Sequence, residues 1–257
     1  MTKSGTAIYL YCVLRSARRP VLARVPGGLA GAGRPQAYQA AKGLWLIAAE
    51  VPLALYGPAE LEPRLRDLDW VSRVALAHEA VVESFARRRG GVVIPAKLFS
   101  MFSTAQKAID DVARRRVQIE RVMARIAGSE EWGIRVTRQR AAAVAAPQAR
   151  ANSGAAFLAG RKAARDAVAN ARAEAADAAR RAFLRLARLA GDTHQREPRQ
   201  EPGTNPPILE AAFLVRVGAR ARFLEEARRQ AAACAAAGAD LILTGPWPAY
   251  NFIGKAS

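Results

Sequence analysis

Asp240-Leu-Ile-Leu-Thr-Gly-Pro-Trp-Pro-Ala-Tyr-Asn-Phe-Ile253, close to the C-terminal end of the 257-residue chain, sets three aromatic residues and two prolines directly behind an apolar run. Leu241-Ile-Leu-Thr244 reads as a short buried strand. Pro246 and Pro248 fix φ and remove two backbone donors, so the chain beyond the strand must run extended or turned. Trp247, Tyr250 and Phe252 then need a surface to cover, and a free tail supplies none. The stretch predicts a sheet strand followed by an aromatic tail over 244–253. Two uses of the tail stay open: it can fold back and cap its own domain, or it can meet a partner. Trp247 follows the strand directly and is expected to cap; Phe252 lies nearest the end and is expected to face the partner.

Working outward, Ala7-Ile-Tyr-Leu-Tyr-Cys-Val-Leu14 reads as a strand, followed by a Pro/Gly-rich loop from Pro26 to Pro35. Gly43–Val51 is a second apolar run of strand length. Pro58 opens a helix that ends near Asp67. Asp69 then caps another helix through Arg89, whose apolar stripe holds Val71, Val74, Ala75, His78, Val81, Val82 and Phe85; Gly90-Gly91 stops it. Val92–Pro95 is a strand, residues 104–127 form a helix ended by Gly128, and Glu131–Thr137 is a strand. Strands alternating with a central helix pair fit an α+β, ferredoxin-like sandwich over 1–138, although the pattern does not give the connection order.

Residues 154–190 read as one long helix rich in Ala and Arg. Its large apolar residues, Phe157, Leu158, Val168, Phe183, Leu184, Leu186 and Leu189, are too sparse for a heptad seam, while its alanines let another helix approach closely. The helix therefore needs a partner. Pro198, Pro202, Pro206 and Pro207 mark 191–207 as a flexible loop. A strand over Ile208–Val217, a helix over Arg220–Ala237 and the final strand complete a second α+β domain, 139–257.

With 51% hydrophobic residues the chain can bury a substantial core. No apolar run approaches the roughly 20 residues that cross a bilayer. Residues 1–15 carry only Lys3 and Arg15 as charges and show no cleavage pattern, so the expected location is the cytoplasm, with no membrane partner. Cys12 and Cys234 form no CxxC pair and are expected as buried free thiols.

A net charge of +18 and a pI near 11.2 raise nucleic acid as a partner. Only six of the forty basic residues are Lys, and Ala is abundant, which is the bias of a GC-rich genome and not of a phosphate-binding patch. A base-stacking sheet would need aromatics alternating beside a basic residue. Trp45 stands alone in its strand and Trp132 has only Arg135 nearby. A basic RNA- or DNA-binding protein with a ferredoxin-like fold is the alternative reading.

Enzymatic readings fail on residue inventory. His78-Glu79 would need a second histidine at position 82, which is Val82, so His78 is expected to serve the core or helix surface. His194 falls in the polar loop. Gly28-Leu-Ala-Gly-Ala-Gly33 is followed by Arg34-Pro35 where a phosphate loop needs Lys and Ser or Thr, which leaves a mobile surface loop. Ser153-Gly154 is no nucleophile elbow. No catalytic set, metal site or cofactor is expected.

The tail motif TGPWP followed by YNF resembles the C-terminal signature of the gas vesicle protein F and L family. Further segments resemble it in the same order: Ala7–Tyr11 the opening strand, Trp70-Val71 with His78–Val82 a helix segment, and Val93-Ile-Pro95 with Phe99 and Phe102 the turn V-P-x-x-F-G-T-x-F. Here the chain departs from the pattern, with Leu98-Phe-Ser-Met101 where the family reads Arg-Phe-Gly-Thr, which leaves the turn geometry open. Glu130–Val136, Ser153–Lys162 and Leu209–Val215 also match. The resemblance implies gas vesicle assembly and nucleation. Its implied partners are the small hydrophobic shell protein and other accessory proteins, and the chain is implied to be a minor structural component of the vesicle. Trp247, Tyr250 and Phe252 are the candidate partner-binding residues.

Overall fold

The computed structural model describes residues 5–88, 91–139, 154–197 and 207–254. It forms two compact units, Met1–Gly128 with Trp247–Ser257, and Ser129–Pro246.

The first unit runs β1 (Thr6–Arg15), β2 (Gln36–Ala41), β3 (Leu44–Pro52), α1 (Leu53–Tyr56), α2 (Pro58–Arg64), α3 (Leu68–Ala86), β4 (Val92–Pro95), β5 (Met101–Phe102), α4 (Ala105–Arg114) and α5 (Arg116–Ile126). Its sheet has the order β2-β3-β1-β4, with β5 also on β1. β1 and β3 read as continuous apolar runs because both of their faces are covered. Tyr9, Tyr11, Ile47 and Val51 point into one cluster with Val74, Val81, Val82 and Phe85 of α3. Ile8, Leu10, Leu46 and Ala48 point into the other, with Ala108 and Val112 of α4 and Met123 of α5. The sheet is thus the middle of three layers.

Several sequence expectations shift here. Asp67, not Asp69, caps α3: its side chain accepts from the Trp70 N–H at 3.0 Å. Expected termini Arg89 and Gly90 lie outside the described residues. The helix expected over 104–127 is two, broken at Arg115 (φ −90°, ψ 11°). β2 was not expected, since Gln36-Ala-Tyr-Gln-Ala-Ala41 is half polar and sits at the sheet edge. The glycine loop is anchored, not loose. Tyr11 Oη accepts from the Leu29 N–H at 3.0 Å and Tyr56 Oη donates to the Ala30 carbonyl at 2.8 Å. Gly28 (φ 79°) has no room for a side chain, because an added Cβ would stand 2.2 Å from Tyr11 Oη.

The second unit runs β6 (Ser129–Arg138), α6 (Gly154–Ala187), β7 (Asp192–Arg196), β8 (Pro207–Arg216), α7 (Arg220–Ala236) and β9 (Ala239–Trp247). Its sheet order is β7-β8-β6-β9. Trp132, Ile134 and Val136 of β6 and Leu209, Ala211, Phe213 and Val215 of β8 share one core with Ala178, Ala182 and Leu186 of α6 and Phe223 and Ala227 of α7. The β-α-β-β-α-β sequence of a ferredoxin-like sandwich is complete in this unit. In the first unit a loop, not a helix, joins β1 to β2, so the ferredoxin-like order expected for 1–138 is not the one found there. The strand expected over Glu131–Thr137 to close the first domain is β6, Ser129–Arg138, an inner strand of the second sheet, because the alternating Trp132, Ile134 and Val136 are buried against β8 and its helices. Within the expected loop 191–207, β7 pairs antiparallel with β8; residues 198–206 lie outside the described residues. Asp192-Thr-His-Gln-Arg196 is polar throughout, so only backbone pairing makes it a strand.

Candidate functional site

The tail leaves β9 at Trp247 and closes in one 3-10 turn, Tyr250–Phe252. Tyr250 N donates to the Pro248 carbonyl at 2.7 Å and Phe252 N to the Ala249 carbonyl at 3.2 Å. This turn brings Phe252 back onto the first unit, where the ring is fully buried and its carbonyl accepts from the Arg125 guanidinium of α5. Trp247 is 43% exposed. The expected split is therefore reversed: Phe252 is the buried cap and Trp247 the outward aromatic. Flanking prolines explain it, since Pro246 and Pro248 keep Trp247 on extended backbone while the chain first turns back at 250.

Tyr250 is half-buried and donates to Oε2 of Glu79 on α3. Glu79 Oε1 is buried without a hydrogen-bond partner. Burial pushes the Glu79 carboxyl above its usual range; the Tyr250 hydroxyl opposes this and the neighbouring Glu83 adds to it. Burial also raises Tyr250, and the hydrogen bond to Glu79 raises it further. The phenol therefore remains the donor at any physiological pH.

One residue earlier on α3, His78 is 3% exposed and its Nδ1 lies 2.8 Å from Tyr9 Oη. The rings of Tyr9 and Tyr11 both stand 5.7 Å from the imidazole. Burial lowers His78 to a pKa of about 4, against a smaller opposing effect of the Ala96 backbone, so the ring is neutral at pH 7. It is a core residue, as its place on the apolar stripe implied. His194 lies on β7. Cys12 and Cys234 are free and buried. Among the described residues no group of three His, Cys, Asp or Glu side chains is placed to hold a metal ion, and no helix is long and apolar enough to cross a membrane.

The turn after β4 carries a strained residue. Phe99 has φ 63°, the only positive φ of a non-glycine residue among the described residues, and its ring stacks on Trp70 with centroids 5.8 Å apart and planes 4° apart. Setting Leu98-Phe-Ser-Met101 against Arg-Phe-Gly-Thr puts the glycine of the resembled turn at Ser100; the positive φ at Phe99 corrects this by one residue, in agreement with counting V-P-x-x-F-G from Pro95. The backbone keeps the glycine conformation, and the phenyl ring packs on α3.

Glu79 and Arg125 anchor the tail, yet no sequence signal joins them to it: 171 and 127 residues separate them from Tyr250 and Phe252. Of the three expected site residues, Tyr250 and Phe252 are held by α3 and α5 of the first unit, and Trp247 is 43% exposed.

Comparison with known proteins bears on this arrangement over nearly its whole length. The profile of the family described as gas vesicle synthesis protein GvpL/GvpF matches residues 7–254, from β1 through the tail. Gas vesicle protein L of Streptomyces sp. (strain CB03234) is 30% identical over 265 residues, spanning 96% of this chain and 93% of that protein. The crystal structure of gas vesicle protein GvpF from Anabaena sp. PCC7120 superposes with a TM-score of 0.65 at 14% identity, covering 98% of both chains. That of GvpF from Microcystis aeruginosa gives 0.62 at 13% identity, covering 96% of this chain and 98% of the other. The two structures share the fold, and the family match runs from the first strand to the aromatic tail: this chain belongs to the gas vesicle GvpL/GvpF family.

Proposed function

We propose that this chain acts in gas vesicle assembly, binding the small hydrophobic shell protein and other accessory proteins during vesicle nucleation, and that it stays in the cytoplasm with the vesicle as a minor component. Family membership supplies the context. The observation that carries the binding role is Trp247, a large aromatic left 43% exposed at the end of an edge strand that also exposes Ile242. Exposed aromatics backed by a rigid strand are the usual anchors of protein interfaces, and capture of an apolar subunit needs contact area, not a cofactor.

The test is capture of purified shell protein by the full chain, with and without Trp247→Ala, across a salt series. Apolar capture should change little between 50 and 200 mM salt, whereas binding through about six phosphate contacts should weaken roughly 10³-fold. Salt-tolerant capture that falls with Trp247→Ala supports the reading. Tight binding of RNA or DNA at physiological salt, with no capture of shell protein, replaces it with the nucleic-acid alternative.

A further inference from the structure

At 1.5 Å per residue, the 34 residues of α6 span about 50 Å. Only the C-terminal part has a core beneath it. Buried positions begin at Ala175 and continue through Ala178, Ala179, Ala182 and Leu186, while every residue from 155 to 174 is exposed. The stripe that faces the core does not end where the core ends. At 100° per residue, Phe157, Ala164, Val168 and Ala171 project within about 40° of Ala175, and Leu186 lies about 20° from it. Phe157 and Val168 are 54% and 52% exposed.

The two borders of this stripe differ. On one side Arg161, Arg165 and Arg172 rise beside Ala164, Val168 and Ala169, which together form a shallow open depression. Arg161 also lies over the Phe157 ring, 5.9 Å from its centre. On the other side stand Gly160, Ala163 and Ala167, small enough to let a second backbone come close, with Glu174 on the same border nearer the core. An apolar floor, one cationic wall and one low wall describe a groove for a helix that brings carboxylates to the arginines.

A second copy of α6 does not fit that description. Antiparallel pairing sets like borders together and would align the Arg161, Arg165 and Arg172 row with itself; parallel pairing would set it against Gly160, Ala163 and Ala167, a border whose one carboxylate, Glu174, does not match three arginines. We propose that the projecting half of α6 is a docking face for an amphipathic helix of a partner protein, with Asp or Glu bordering that helix's apolar stripe. This face does not include Trp247, and the proposal goes beyond the shell-protein reading.

A synthetic helix of about 20 residues, with a Leu/Ala stripe bordered by Glu, is titrated against the full-length protein by fluorescence anisotropy, beside a twin bordered by Lys. The Glu peptide should bind at least about tenfold more tightly than the Lys twin. Val168→Asp should remove that binding without lowering Tm, since position 168 is exposed. Joint reversal, Arg161→Glu with Arg165→Glu and Arg172→Glu, should transfer the preference to the Lys twin, and Trp247→Ala should leave both unchanged. Equal affinity for the two peptides, no binding of either, or indifference to Val168→Asp would overturn the proposal. Self-association that Val168→Asp abolishes would overturn it in favour of a second copy. No shell protein enters the assay, so its failure leaves the shell-capture reading standing.

Discussion

Tyr250 donates a hydrogen bond to Oε2 of Glu79 across 171 residues of sequence, and both residues belong to the first unit. The last turn of the chain is thus held by the helix whose neighbouring residue, His78, holds Tyr9 at the centre of the sheet. Tyr250→Phe leaves Glu79 with neither oxygen satisfied by the tail and should destabilise by about 1–3 kcal/mol. Glu79→Leu in the Tyr250→Phe background should cost much less than in the wild type, because the two residues share one interaction. Urea unfolding of the four proteins measures the coupling; additive losses would deny the contact.

Acid stability separates His78 from Glu79, because their shifts have opposite signs. His78 titrates lower in the fold, about 4 against its ordinary 6.5. The unfolded chain takes up the proton first, so its contribution is complete above pH 6.5 and about 3 kcal/mol is lost as pH falls towards 4. Glu79 is raised above its ordinary 4.5. Its penalty is absent below that value and grows as pH rises through the folded pKa. In melts from acid to neutral pH, His78→Gln should flatten the acid limb, and Glu79→Gln should gain on the wild type at neutral pH compared with acid.

Phe252 and Trp247 should respond oppositely to truncation. Phe252→Ala empties a fully buried site and should cost about 3–5 kcal/mol. Trp247→Ala removes a 43% exposed side chain and should cost well under half of that, while weakening capture of the shell protein. Tm and pull-down on the two variants check both halves; an equal loss of Tm at both positions would refute the assigned roles.

Phe99 offers a separation of strain from stacking. Phe99→Ala and Phe99→Gly both lose the ring on Trp70, but only glycine adopts φ 63° without penalty. The glycine variant should be the more stable of the two by about 1–2 kcal/mol, read from their urea midpoints.

The apolar runs of β1 and β3, the stripe of α3 and the strand before the tail were legible because periodicity and burial coincide there. β7 was not, since a polar strand is defined by its pairing with β8 alone. The placement of 129–138 was also hidden: alternation at Trp132, Ile134 and Val136 says that one face is buried, but not against which sheet. At the tail, the sequence singled out Trp247, Tyr250 and Phe252 but inverted the burial expected of two of them. Distance from the strand suggested that Trp247 would cap, whereas the prolines on either side hold it out and the 3-10 turn carries Phe252 in. Glu79 and Arg125 had no local signal, as partners in a hydrogen bond across more than a hundred residues leave none.

A binding role in gas vesicle assembly is tested most directly in cells that make vesicles from their own gene set. This gene is deleted and restored as wild type, Trp247→Ala or Phe252→Ala, with vesicles counted by electron microscopy and protein levels followed by blotting. Deletion should abolish or sharply reduce vesicles, and the wild type should restore them. Trp247→Ala should accumulate normally yet fail to restore full numbers, and Phe252→Ala should fail through loss of the protein itself. Normal vesicles in the deletion strain, or full restoration by Trp247→Ala with unchanged shell-protein capture, would contradict that role.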